Sequence, residues 1–101
     1  MIRHTVLFRW TADATEAQIE EALRRLSELP GLIPEIRRYE FGRDLGYSDA
    51  TWDMALVADF DTKADWETYV NHPAHRSAVA EGTQPITEEL IRVQYEVLTV
   101  P

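Results

Sequence analysis

Two of the three histidines of this 101-residue chain fall in one short run, Tyr69-Val70-Asn71-His72-Pro73-Ala74-His75. An imidazole titrates near pH 6.5 and a phenol near pH 10, so the pair can take a proton from carbon and donate one to a developing oxyanion. Pro73 disfavours helix at His72 and suits the first turn of a new helix. The spacing therefore predicts a corner, with Tyr69 near the end of one helix and His75 near the start of the next. Both can turn toward the same cavity. His4 belongs to an alternating row, Ile2, His4, Val6, Phe8 and Trp10, and reaches that cavity from the helix-facing side of a first strand.

Structural readings stand beside these chemical ones. His4 fits a hydrogen-bonded core position, His72 a helix cap, and Tyr69 a core residue with its hydroxyl at the rim. His72 and His75 are three apart with His4 in reach, but no carboxylate lies at a supporting spacing, so we expect no metal. Cysteine is absent. That excludes a disulfide framework, a zinc-thiolate site and a cysteine nucleophile, and it moves any chemistry onto histidine and tyrosine.

The elements that must position these groups follow from periodicity. The first strand runs through Trp10. Thr15-Glu16-Ala17-Gln18 reads as a capping box that opens a helix with Ile19, Ala22, Leu23, Leu26 and Leu29 on its apolar stripe, ended by Pro30-Gly31. Ile36–Arg43 alternates as a second strand, with Tyr39 and Phe41 on one face. Asp44–Asp49 is turn-like, and Thr51–Phe60 is a third strand with apolar residues on both faces. Asp61-Thr62 caps a short helix whose stripe is Trp66, Tyr69 and Val70. A second short helix covers Pro73 to about Glu81, Gly82–Pro85 breaks it, and a last strand runs from about Ile91 to Val100. The order βαββααβ implies a ferredoxin-like α+β sandwich with its helices on one face of a four-stranded antiparallel sheet. On this phasing Leu7, Ala55, Val57, Leu98 and Val100 line the bare face, and such a patch predicts a homodimer of sheets packed face to face.

Composition narrows the classes. A chain of 11.7 kDa holds one core, so residues 1–101 are expected to form a single domain without a separate cofactor lobe. Ten basic against 18 acidic residues give a net charge of −8, which opposes nucleic-acid binding. No apolar run approaches membrane-spanning length, and the first residues lack a signal-peptide core, so the expected location is cytoplasmic. The basic residues are mostly arginines; Arg3, Arg37, Arg38 and Arg43 read as solvated ion pairs, with a rim or intersubunit role as the alternative.

His4–Phe8 (His-x-Val-Leu-Phe), Thr15–Gln18, Phe41-Gly42-Arg43-Asp44 and Tyr69-x-x-His72-Pro73-x-His75 together resemble the stress-responsive A/B barrel, or Dabb, family across essentially the whole chain. The resemblance implies a dimeric α+β barrel. It further implies a cofactor-free intramolecular aldol closure of a poly-β-ketoacyl or similar enolisable substrate, with Tyr69 and His75 as the catalytic pair and His4 in support. His72, Leu26, Trp66 and Val79 would form the surface that binds a small hydrophobic or polyketide-like ligand. A non-catalytic stress-related dimer and a cofactor-free monooxygenase are the competing expectations.

Overall fold

Hydrophobic alternation at one end of the chain and capping chemistry in the middle fix the first two elements. The computed structural model describes residues 1–101. Strand β1 is Ile2–Trp10, and its even-numbered His4, Val6 and Phe8 are buried. Helix α1, Glu16–Ser27, opens on the full capping box: the Gln18 amide donates to Thr15 Oγ1 at 3.2 Å and the Thr15 amide to Gln18 Oε1 at 2.9 Å. Its stripe of Ile19, Ala22 and Leu26 is buried against the sheet and the later turns. The helix stops before Pro30, which cannot donate its turn's hydrogen bond, and Pro30 instead opens a one-turn helix α2, Leu29–Leu32.

Strand β2 is Arg38–Arg43 and β3 is Met54–Phe60. β3 starts later than the expected Thr51 because Asp53 is engaged otherwise. Its carboxylate takes the Trp10 amide at 2.8 Å, just where β1 shifts register between Arg9 and Trp10. Helix α3, Lys63–Asn71, is capped by Thr62, whose Oγ1 accepts from the Asp65 amide. Helix α4, Pro73–Ala78, follows at once.

The expected break at Gly82–Pro85 is a continuous helical path, a wide π-turn over Val79–Thr83 and a 3-10 turn over Gln84–Ile86. Gly82 allows this close approach. A Cβ there would lie 3.4 Å from the Ala22 Cα and 3.1 Å from Arg25 Cδ. Strand β4, Thr87–Glu96, begins earlier and ends sooner than expected.

The strand order is β2-β3-β1-β4, antiparallel throughout. This is the ferredoxin-like α+β arrangement, and the main core cluster lies between the sheet and the helices, built on residues such as Val6, Leu26, Leu56, Phe60 and Tyr69. No helix is long and apolar enough to cross a membrane. The opposite face carries Leu7, Ala55 and Val57 as expected, but not Leu98 and Val100. Those two lie beyond β4 at 84% and 85% exposure. Register explains the correction: Leu7 stands opposite Ile91, Thr5 opposite Val93 and Arg3 opposite Tyr95, so odd-numbered β4 residues share the open face. Even-numbered Leu90, Arg92 and Gln94 point toward the helix side.

Arg37, Arg38 and Arg43 form the expected solvated ion pairs, whereas the pair of Arg3 is part-buried. Arg3 clamps the buried Asp59 through Nε and Nη2 at 2.8 and 2.9 Å. Arg37 pairs with Asp61 at 2.9 Å, Arg38 with Glu40 and Arg43 with Glu16.

Candidate active site

Between the helices and the β1–β4 edge lies a cavity of about 420 Å³. Three elements aim its polar groups. β1 supplies His4, the last turn of α3 supplies Tyr69, and the first turn of α4 supplies His75. The Pro73 corner works as the sequence implies: His72 is extended at φ −66° and ψ 136°, and the Tyr69 and His75 rings come to 4.3 Å between centroids. His4 approaches Tyr69 to 6.1 Å and Trp66 to 6.2 Å. Val6, Phe8, Leu26, Leu56 and Val70 make most of the remaining wall apolar.

The protonation pattern of the two histidines can be read from their partners. An indole N–H can only donate, so the contact from Trp66 Nε1 at 3.3 Å makes His4 Nδ1 an acceptor. Gln94 Nε2 donates to the same atom at 2.8 Å. His4 is therefore neutral, with its proton on Nε2, the one ring nitrogen left without a protein partner. A carbonyl can only accept, so His75 Nδ1 donates to Val70 O at 3.2 Å and Nε2 keeps the lone pair. Burial, then the nearby His75 and Arg92 charges, pull the His4 imidazole down to about 4. Burial also lowers His75, against the opposing hydrogen bond to Val70.

Tyr69 is 2% exposed, and its hydroxyl lies 3.0 Å from that of Tyr39. Burial pushes Tyr69 up to about 12, while the Tyr39 bond acts the other way. Tyr39 is raised further still, by burial and by that same bond. Either hydroxyl can donate in this contact, and when Tyr39 donates the Tyr69 proton is left to serve another acceptor.

Of the residues expected to bind substrate, Leu26 and Trp66 line the cavity with His4, Tyr69 and His75. His72 does not. Its Nδ1 accepts the Ala74 amide at 3.0 Å and caps α4, the structural role its position before Pro73 allows. Val79 is also elsewhere: it sits in the π-turn and borders a shallow recess on the far side of His75 with Val70 and Gln84. Three wall residues escape a reading by motif, namely Leu90, Arg92 and Gln94 of β4. Their even parity would have identified them had the strand's start been placed at Thr87. A larger recess of about 540 Å³, around Leu7, Tyr47 and Trp52, holds no histidine.

The model of the stress responsive A/B barrel domain matches residues 2–97. A dimeric ferredoxin-like protein of unknown function from Thermobifida fusca is 41% identical, superposes with a TM-score of 0.88, and shares 95% of this chain and 90% of its own. Olivetolic acid cyclase of Cannabis sativa is 24% identical over 76 residues, which are 73% of this chain and 75% of the cyclase. Hydroxynitrile lyase from Passiflora edulis shares the fold at a TM-score of 0.86 and 24% identity, over 99% of this chain and 96% of its own.

Proposed function

This chain belongs to the stress responsive A/B barrel domain family, and from that premise we propose that it is a small cofactor-independent acid–base enzyme of the cyclase or lyase type. Its substrate is an enolisable carbonyl compound, such as a β-ketoacyl chain, held in the apolar cavity. The supporting observation is the opposite tautomers of His4 and His75 on one cavity wall, a donor and an acceptor ready without prior proton exchange. His75 Nε2 removes the proton alpha to the carbonyl. Tyr69 O–H, with His4 Nε2–H beside it, stabilises the enolate oxygen as charge develops there. The enolate carbon then attacks a second carbonyl of the same chain, and the proton held on His75 returns to the new alkoxide. That sequence is an aldol closure, balanced without redox or metal.

The olivetolic acid cyclase relative supports a cyclase reading, since this chain covers three quarters of it. We also propose that two copies associate through the open sheet face, in keeping with the dimeric Thermobifida relative and with the apolar row of Leu7, Val57, Ile91 and Val93. The test is deuterium exchange at the alpha carbon of a β-ketoacyl thioester, followed by NMR for the native chain, His75→Ala and Tyr69→Phe. Loss of His75 is expected to slow exchange by about 10²–10⁴-fold and loss of the Tyr69 hydroxyl by about 10²-fold. Exchange undiminished in both variants would overturn the reading.

A further inference from the structure

Arginine is the chain's dominant cation, and nearly all of it is used internally. Seven of the nine arginines are held by carboxylates, and Arg76 donates to Asn71 Oδ1. Arg92 is the exception. It has no ion pair and no side-chain hydrogen bond, in a chain with 18 acidic residues to choose from. Its place is the cavity wall, on the even face of β4 between Leu90 and Gln94 and opposite Val6 of β1. Its charge is felt at His4.

We propose that Arg92 is a specificity residue that selects substrates bearing a carboxylate one carbon away from the reacting carbonyl; the inference rests on the catalytic reading of the same cavity. A guanidinium presents a planar fork of donors that matches a carboxylate, and its exposed position leaves that fork open to a ligand. A monoanion suits the setting better than a phosphate. The chain's net charge of −8 opposes a dianion, and one guanidinium balances one carboxylate. Gln94 is fixed on His4 and does not compete for the arginine. A carboxylate on Arg92 leaves the rest of the ligand in the cavity that His4, Tyr69 and His75 also line.

Binding, not turnover, tests this. Dissociation constants of 3-oxooctanoate and of its methyl ester are measured calorimetrically for the native chain, Arg92→Gln, Arg92→Lys and Arg76→Gln. The native chain is expected to prefer the acid by about tenfold, the value of one charge-assisted contact at a partly open site. Arg92→Gln should bring the ratio to near one, Arg92→Lys should hold an intermediate value, and Arg76→Gln, outside the cavity, should leave the ratio intact. Equal affinity of the native chain for acid and ester overturns the proposal, as does a preference that survives Arg92→Gln. A carboxylate preference together with exchange indifferent to His75 and Tyr69 would leave the anion site standing and remove the catalytic reading. Failure of both probes to bind overturns both readings.

Discussion

His4 and His75 share one cavity with opposite hydrogen-bonding senses: Nδ1 of His4 accepts from Trp66 and Gln94, whereas Nδ1 of His75 donates to the Val70 carbonyl. Each Nε2 is therefore preset, one as donor and one as acceptor. The pairing depends on the Trp66 indole and the Val70 carbonyl, which cannot reverse their roles, and this makes its consequences measurable.

Activity should have a single acid limb. His75 must be neutral to act as base, and burial holds its imidazole below the usual 6.5. Tyr69, pushed up to about 12, keeps its proton through the ordinary working range. A profile of kcat/KM against pH is expected to rise through a limb below 6.5 and then stay level to about pH 9. A limb on the alkaline side of neutrality would count against His75 as the base.

Stability should fall on mild acidification. The unfolded chain binds the His4 proton near 6.5, whereas the folded chain resists it down to about 4. The contribution is fully present above 6.5 and is lost as the pH falls through the folded value, a change of about 2 kcal/mol. His4→Gln retains an acceptor for Trp66 and does not titrate. Its melting temperature should drop less than that of the native chain between about pH 7.5 and about pH 4.5, by several degrees. Equal drops would show that His4 is not the group resisting protonation.

Tyr39 acts through Tyr69. Tyr39→Phe removes the hydroxyl whose contact opposes the burial-driven rise of the Tyr69 phenol. We expect kcat to fall about tenfold with KM nearly unchanged, the size of one buried hydrogen bond acting in the transition state. Phenolate absorbance should show Tyr69 titrating later than in the native chain. A variant with native kcat would remove Tyr39 from the proton relay.

Association can be tested on the other face. Val57 lies opposite Thr5 and Glu40 on the open side of the sheet. Val57→Asp places a charge there, and light scattering should report a species near the 11.7 kDa of one chain where the native protein runs at twice that mass. A native protein already monomeric at micromolar concentration would overturn the expected dimer.

Much of the architecture was legible because it is local. The Thr15–Gln18 box, the alternation of β1 and the corner at Pro73 each depend on neighbours within a few residues, and each forms as expected. The cavity's fourth side was not legible, because it depends on pairing across the whole chain. Gln94 meets His4 only through the register of β4 on β1, some 90 residues apart. Counting alternation back from Leu98 and Val100 placed apolar residues on the wrong side, since those two lie past the strand's end. His72 was ambiguous for a different reason. A ring nitrogen that caps a helix and one that binds a ligand have the same sequence signature, and only the bond to the Ala74 amide separates them.

Strand β4 writes two messages in alternating letters. Leu90, Arg92 and Gln94 face the cavity, while Ile91, Val93 and Tyr95 face the open side. Substitution at the even positions can therefore reshape the cavity wall without altering the open face, and the odd positions can drift independently in the reverse sense. β4 borders only β1, so side chains there can change size with few neighbours to accommodate. The fold thus separates the cavity lining from the open sheet face within ten consecutive residues, and a single-residue insertion in this strand would exchange the two at once.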